Sequence, residues 1–217
     1  MFEVRSTIVK IALTMATFVI AAALTSVEVR AAPQLFGSHE FTTVKITSHA
    51  KWNRLVRQIE SAEHSALECL PVAAGGCSTT AWHRFIDSLR GLDRASQLDA
   101  VNRFFNKAAY VSDNRNYGAG DYWATPRQLM SRGGDCEDYA IAKYLALRDL
   151  GIATGDMRIV VLKDQENNVQ HAILTVEDGG RILALDNQIA RVTDTRRIHY
   201  YRPLYAINES SWSFYTN

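Results

Sequence analysis

Cys136 is surrounded by carboxylates in the stretch GGDCEDYA, which covers residues 133–140. Asp135 precedes the cysteine, and Glu137 and Asp138 follow it. Negative neighbours disfavour a thiolate, and the thiolate is the reactive form of cysteine. Cys136 is therefore either inert or placed beside something that offsets the negative charge.

The same stretch has the signals of a helix start. Gly133 and Gly134 break the chain, Asp135 is a good N-cap, and the apolar residues that follow keep a helical spacing until Gly151. Cys136 is predicted to be the first helical residue, where the helix dipole and the free backbone N–H groups favour a thiolate. The same N–H groups can hold a developing oxyanion.

Three aliphatic and β-branched segments further along the chain are predicted strands: MRIVVLK (157–163), VQHAILTVE (169–177) and RILALDN (181–187). Asp178 and Gly179 follow the second segment, and Asp-Gly is a favoured pair for a two-residue type I′ turn. We therefore expect a hairpin with His171 on one strand and Asp186 on the other.

The register of this hairpin decides whether His171 and Asp186 can meet. With Asp178-Gly179 as the turn, the two residues face each other, with Cβ atoms roughly 4.5–5.5 Å apart. With Gly179-Gly180 as the turn, Asp186 faces Ile173 and lies diagonal to His171 on the same sheet face. A three-residue loop places His171 and Asp186 on opposite faces.

A histidine held by a carboxylate has a fixed tautomer and orientation and a stabilised protonated form. A general base that serves a thiol needs these properties. A single histidine without such a partner is better explained as a structural or surface residue. Cys136, His171 and Asp186 together indicate nucleophilic catalysis in the chain order Cys, His, Asp.

The elements before the hairpin are predicted to be mainly helical. Apolar residues with helical spacing predict helices over 52–67, from Thr79 or Thr80 to 89, and over 96–111. Residues 112–130 are predicted to form a long loop that leads into a short helix, and Trp123 in this loop either lines a cleft or anchors the loop. N-terminal helices followed by an antiparallel sheet predict the α+β class.

Composition narrows the possible functions. Lys and Arg together number 24 and Asp and Glu 23, which gives a formal net charge of +1, and 47% of the 217 residues are hydrophobic. This profile is typical of a single globular domain. A nucleic-acid partner is not expected, because such proteins carry a clustered basic excess.

The N-terminal residues have the order of a secretory signal peptide. Arg5 and Lys10 precede an uncharged segment over 11–26, and small residues follow up to Ala31. We expect a signal peptide over 1–31, cleaved on export, and one domain over 32–217. An uncleaved anchor is the alternative, although the uncharged segment is shorter than the roughly 20 residues of a spanning helix.

The chain has three cysteines, so at least one has no partner within the chain. Cys69 and Cys77 flank the short Pro- and Gly-containing segment LPVAAGG, and disulfides persist outside the cytoplasm. We therefore predict a Cys69–Cys77 disulfide, with two free cysteines in a loop as the alternative. Cys136 then remains the unpaired thiol.

Several segments together resemble a known family. GGDCEDYAIAKYLALRDLGI, QHAILTVEDGGRILALDNQ and YRPLYAINESSW are similar to the bacterial transglutaminase-like cysteine proteases, whose best-known members are the LapG-type periplasmic adhesin proteases. The resemblance covers residues 52–212. It implies a papain-like or transglutaminase-like fold with Cys136 as nucleophile, His171 as base and Asp186 as orienting acid.

The resemblance also implies a calcium ion held by the acidic residues beside the nucleophile, here Asp135 and Glu137, with Asp138 as a third. The charge of a bound cation would reverse the penalty on a thiolate at Cys136. From the residues alone, the acidic trio is also explained as an N-cap and charges that complement the helix dipole.

By the same resemblance, the expected substrate is a large surface adhesin, cut near its N-terminus at a small-residue site, so that the protease controls attachment and biofilm. The expected partner is the periplasmic domain of an inner-membrane cyclic-di-GMP receptor. Two other functions stay open: a transglutaminase-like amidase or transamidase, and a non-catalytic calcium-binding module. Cell-wall amidases usually have the sequence Asp-Cys-Ser-Gly at the nucleophile, whereas this chain has Glu137 and Asp138 after the cysteine.

Overall fold

The computed structural model describes residues 34–45, 50–61, 70–71, 77–118 and 120–216. The predicted signal peptide over 1–31 lies outside these residues, and so does Cys69 and with it the predicted Cys69–Cys77 disulfide. The segment Pro33–Asn217 forms one compact unit. Within the described ranges, no helix has the length and hydropathy that crossing a membrane requires.

The helices lie mainly in the first half of the unit, as predicted. They are α1 (Ala50–Ser61), α2 (Thr79–Arg90), α3 (Arg94–Phe105), α4 (Asp113–Tyr117), α5 (Pro126–Arg132) and α6 (Cys136–Asp149). Two 3-10 turns follow, at Thr154–Asp156 and Thr195–Arg197. The predicted loop over 112–130 therefore contains the short helix α4 before it leads into α5.

Local capping fixes where two of these helices begin. The Asp93 side chain accepts a hydrogen bond from the Ser96 backbone N–H at 3.0 Å and so caps α3. Thr125 and Gln128 form a capping box at α5, and Pro126 occupies the first helical position. Both arrangements satisfy N–H groups that have no partner inside the helix.

The strands form a seven-stranded antiparallel sheet in the order β1-β9-β8-β4-β5-β6-β7, and a small pair, β2-β3. Their bounds are β1 (His39–Lys45), β2 (Leu70–Pro71), β3 (Cys77–Ser78), β4 (Met157–Asp164), β5 (Val169–Asp178), β6 (Arg181–Leu185), β7 (Thr193–Asp194), β8 (Tyr201–Ile207) and β9 (Ser211–Thr216). The α+β class is confirmed. Strands β1 and β9, which pair with each other at one edge of the sheet, were not predicted from the sequence.

Helix α6 is the central helix of the core. Its residues 138–147 are all buried, and it packs against α3, α5, β4 and β5. A helix that is buried on all sides needs apolar residues around its whole circumference, which the sequence from Tyr139 to Leu147 supplies with one exception, Lys143. The predicted stop is also observed, since Gly151 follows the helix with a φ of 88°.

The β5–β6 hairpin turns at Gly179-Gly180, so the predicted Asp178-Gly179 turn is wrong. Asp178 pairs with Arg181, and the pairing continues to Leu174 with Leu185. Both turn glycines have positive φ, 57° and 77°, as a type I′ turn requires, and aspartate meets this requirement less readily than glycine. The alternative register therefore holds, in which Asp186 follows β6 on the sheet face of His171.

Trp123 anchors its loop and does not line an open cleft. Its side chain is buried and packs edge-on against Trp52, with ring centroids 6.5 Å apart. Trp52 in turn packs edge-on against Tyr144 of α6, at 5.7 Å. The loop before α5 is thus attached to the same core as α6.

Candidate active site

The start of α6 places Cys136 on a tightly packed backbone. The Val111 N–H donates to the Gly134 carbonyl at 2.9 Å, and the Gly134 N–H donates to the Ala109 carbonyl at 3.1 Å. A Cβ atom on Gly134 would lie 2.3 Å from Oδ2 of Asp138, so only glycine fits at this position. Cys136 is the first residue of the helix that follows.

Asp138 holds this helix start together. Its Oδ2 atom accepts a hydrogen bond from the Asp135 N–H at 3.1 Å, and its Oδ1 atom accepts one from the Ala124 N–H at 2.6 Å. The side chain is fully buried, and this burial raises the pKa of Asp138 to about 7 against the effect of these hydrogen bonds. Both carboxylate oxygens of Asp138 therefore accept hydrogen bonds from backbone N–H groups.

His171 and Asp186 are joined by a hydrogen bond, with Nε2 of His171 and Oδ1 of Asp186 2.9 Å apart. Both side chains are buried, with exposed fractions of 2% and 0%. Because an ionised carboxylate only accepts, Nε2 carries the ring proton and Nδ1 is left as an acceptor. The structure therefore brings these two predicted residues together and determines the tautomer.

Two further groups hold the Asp186 carboxylate. The hydroxyl of Tyr201 donates to Oδ2 at 2.8 Å, and the backbone N–H of Gln188 donates to Oδ1 at 2.8 Å. Burial by itself would raise the pKa of Asp186, but the hydrogen bonds from His171, Gln188 and Tyr201 lower it below its usual value. Asp186 is thus kept ionised in a buried place, and burial together with Asp186 raises the pKa of Tyr201 far above its usual range.

Sequence reasoning missed Tyr201 and Gln188. Gln188 lies two residues after Asp186. Its backbone N–H donates to the Asp186 carboxylate in the short turn that is common after an aspartate. Its side-chain Nε2 also lies 3.5 Å from Nδ1 of His171. Tyr201 begins β8, which the sheet order separates from β5 by β4, so no local pattern could have indicated this contact.

The thiol of Cys136 lies between β5 and a carboxylate. A hydrogen bond from the backbone of Ala172, the residue after His171, acts on the sulfur, and Sγ donates to Oε2 of Glu137 at 3.2 Å. Burial, followed by the charge and the hydrogen bond of Glu137, raises the pKa of Cys136 far above its usual value. Burial and the Glu137 carboxylate therefore both favour the protonated form of the sulfur.

Three carboxylates meet beside the thiol. Oxygen atoms of Asp113, Asp135 and Glu137 all lie within 4.8 Å of one another. Asp135 and Glu137 are predicted metal ligands, whereas Asp113 comes from the start of α4 and was missed. Asp138, the third predicted ligand, is not in this cluster of the described residues.

The donor set of this cluster fits a hard divalent cation. Oδ1 of Asp113 and Oδ1 of Asp135 are buried and have no hydrogen-bond partner among the described residues. Burial raises the pKa of Asp113, and burial and the charge of Glu137 raise the pKa of Asp135 to about 8. Buried carboxylate oxygens without donors are what a cation such as Ca²⁺ prefers as ligands.

Comparisons with known proteins indicate the family of this chain. Residues 74–212 match the family model of the bacterial transglutaminase-like cysteine proteinases. The calcium-bound structure of LapG from Legionella pneumophila matches with 32% identity and a TM-score of 0.54, over 60% of this chain and 74% of that chain. A second LapG structure and an EGTA-treated one each match with 31% identity and a TM-score of 0.56, over 63% of this chain and 77% and 75% of theirs. Comparison with curated proteins found no match.

Proposed function

The chain belongs to the bacterial transglutaminase-like cysteine proteinases, and on this premise we propose that it is a calcium-dependent endopeptidase with Cys136 as its nucleophile. The hydrogen bond between His171 and Asp186, on the strand that meets the sulfur, is the observation that supports this function most directly. It supplies a base with a fixed tautomer on the strand whose Ala172 backbone contacts the sulfur of Cys136, a cysteine at a helix N-terminus.

The reaction follows from these roles. Nδ1 of His171 accepts the proton of the Cys136 thiol while Nε2 keeps its hydrogen bond to Asp186. The sulfur attacks the peptide carbonyl, and the imidazolium returns the proton to the leaving amine, which gives a thioester and the first product. Water then attacks the thioester, with His171 as base, and releases the acid and the free thiol.

The helix start contributes to both steps. Cys136 is the first residue of α6, so backbone N–H groups of the first turn lie next to the sulfur and have no partner inside the helix. Such groups stabilise the negative charge that develops on the carbonyl oxygen. The dense packing around Gly134 and Asp138 holds them in place.

Calcium is the metal that the acidic cluster and the calcium-bound relative support. Asp113, Asp135 and Glu137 are the residues that would hold it. A bound Ca²⁺ supplies positive charge, which offsets the carboxylates that disfavour a thiolate at Cys136. These three residues therefore connect metal binding to the reactivity of the thiol.

The substrate, the compartment and the partner follow from the resemblance to the LapG-type proteases. The substrate is a large surface adhesin, cut near its N-terminus at a small-residue site, and cleavage controls attachment and biofilm. The protein acts in the periplasm after removal of residues 1–31, whose charged and apolar order supports export. The partner is the periplasmic domain of an inner-membrane cyclic-di-GMP receptor.

Peptide mapping tests the reaction type. The purified protein is incubated in calcium with the N-terminal segment of a large repeat adhesin from the same cell, and products are identified by mass spectrometry. We expect hydrolysis beside small residues with the native protein and none with Cys136→Ala. Products joined by a new amide bond would establish a transamidase, and equal cleavage by Cys136→Ala would refute the nucleophile.

A further inference from the structure

Residues 35–38 form a tight turn before β1. The Ser38 N–H donates to the Leu35 carbonyl at 2.9 Å, and Phe36 and Gly37 between them both have positive φ, 50° and 76°. Glycine adopts this left-handed conformation readily, whereas a phenylalanine adopts it rarely and keeps it only where its surroundings hold it there. A phenylalanine at position 36 therefore needs a reason.

The turn packs on the sheet face that carries the His171–Asp186 pair. Leu35 is buried in the smaller of the two apolar clusters, which also contains Ile173 and Tyr201. His171 shares one face of β5 with Ile173, because residues two apart along a strand point the same way. The turn and the His171–Asp186 pair therefore lie on the same face of the sheet.

Tyr201 connects the turn to the His171–Asp186 pair. Its ring centre lies 5.6 Å from that of Phe36, with the ring planes at 85°, which is an edge-to-face contact. Its hydroxyl donates to Oδ2 of Asp186 at 2.8 Å, and its ring centre lies 5.8 Å from that of His171. Edge-to-face aromatic pairs have a preferred geometry, so Phe36 orients the ring that carries this hydroxyl.

We propose that Phe36 is a positioning residue for Tyr201 and, through the Tyr201 hydroxyl, for Asp186. The inference rests on the catalytic roles proposed above. His171 and Gln188 both bind Oδ1 of Asp186, so that Tyr201 holds the other oxygen, Oδ2. Without the Phe36 ring, Tyr201 can shift, the carboxylate can rotate, and the imidazole of His171 loses its fixed orientation.

The test uses the reactivity of Cys136, which does not depend on knowing the substrate. Alkylation of Cys136 by iodoacetamide at pH 7 in calcium-saturated buffer is followed by peptide mass spectrometry. The variants are Phe36→Ala, Phe36→Gly and Phe36→Tyr, and Phe36→Ala is also combined with Tyr201→Phe. Phe214→Ala is the matched control, because it removes an exposed phenylalanine from β9. Each variant is first shown to fold by its urea unfolding transition.

We expect Phe36→Ala to slow alkylation about 10- to 100-fold, as small misplacements of a catalytic group do. Phe36→Gly should be equally slow, because it suits the positive φ but lacks the ring, and Phe36→Tyr should recover most of the rate. Because Phe36 acts through the Tyr201 hydroxyl, Phe36→Ala should slow the Tyr201→Phe protein no further. A residue that contributes only to stability would leave the folded variants at the wild-type rate.

Four results would overturn the inference: a wild-type rate in Phe36→Ala, a wild-type rate in Phe36→Gly, no recovery in Phe36→Tyr, or multiplied effects in the double variant. If Phe36→Ala does not fold, Phe36→Leu is measured in the same two backgrounds with the same expectations, and a wild-type rate or multiplied effects would again overturn the inference.

Asp186→Asn separates this inference from the proposed function. A normal alkylation rate in Asp186→Asn would refute the role of Asp186 and this inference together. A reduced rate in Asp186→Asn with a normal rate in Phe36→Ala would refute this inference alone.

Discussion

Oδ1 of Asp186 lies 2.9 Å from Nε2 of His171, although the hairpin register places the two residues diagonally and not opposite each other. Diagonal neighbours across a strand pair are still within reach of long side chains. Moving the turn by one residue shifts the strand pairing by two residues. His171 and Asp186 therefore stay on the same face of the sheet and can still form the hydrogen bond.

Replacement of Asp186 by Asn should leave the fold intact and lower kcat/KM by about 10²- to 10⁴-fold, because an amide does not fix the tautomer of His171 or stabilise its cation. Steady-state kinetics on the cleaved peptide measures this loss. Asp87→Asn, an exposed aspartate on α2, is the matched control and should keep wild-type activity. Wild-type kcat/KM in Asp186→Asn would contradict the assignment.

Tyr201→Phe should lower the free energy of unfolding by about 1–3 kcal/mol, because a buried carboxylate oxygen loses its donor. The loss depends on pH. The folded pKa of Asp186 is lowered, so its contribution to stability is present above the ordinary aspartate pKa and disappears as pH falls through the lowered value.

Urea unfolding of wild type and Tyr201→Phe at a series of pH values measures this effect. The difference between the two proteins should be largest near neutral pH and should shrink on acidification below about pH 4. The adjacent Tyr200→Phe is the matched control. A difference that does not change with pH would show that Tyr201 acts by packing alone.

Chelation should abolish activity, and calcium but not magnesium should restore it, because Mg²⁺ demands a smaller and more regular oxygen cage. Asp113→Asn should raise the calcium concentration for half-maximal activity by about tenfold or more, as expected when a charged ligand is lost. Asp138→Asn should instead lower the free energy of unfolding, because its amide would present a donor to a backbone donor, and should leave the calcium requirement unchanged.

Activity titrations with buffered calcium separate these two variants. The control is Asp156→Asn, which removes an exposed carboxylate remote from the cluster in sequence. An unchanged calcium requirement in Asp113→Asn, or a raised one in Asp138→Asn, would restore Asp138 as the third ligand. Full activity in excess chelator would refute the metal site itself.

Gly134→Ala should lower the free energy of unfolding by about 1–3 kcal/mol, since the new Cβ overlaps Oδ2 of Asp138 and the site cannot expand without cost. Gly155→Ala is the matched control, because a Cβ there meets nothing within 4 Å. Calorimetry on both variants gives the comparison. Equal melting temperatures would show that the helix start is more adaptable than its packing indicates.

Helix α6 could be predicted because all its signals are local. Gly133-Gly134, the N-cap Asp135 and the apolar residues after Cys136 lie within one short stretch, and the observed helix begins at Cys136. The face shared by His171 and Asp186 was also predictable, since either two-residue turn gives it. The choice between those two turns was not predictable, because Asp-Gly and Gly-Gly both suit positive φ and the difference in their turn preference is small.

Contacts between distant segments could not be predicted. Asp113 reaches Asp135 because the loop after α3 returns to the start of α6, where backbone pairing around Gly134 and a hydrogen bond from the Asp113 N–H hold the two segments together. Tyr201 contacts Asp186 because of the order of the strands in the sheet. This order cannot be predicted from the sequence of any single strand. The burial of Lys143 could not be predicted either, since a single lysine within an apolar helix is usually a surface residue.

The burial of α6 on every side has a consequence for how such an enzyme can diversify. A sulfur at the tip of such a deeply buried helix cannot move toward a new substrate unless the interior around the helix rearranges. New substrate specificities in this fold must therefore arise in the peripheral loops that bind the peptide, while the position of the sulfur stays fixed.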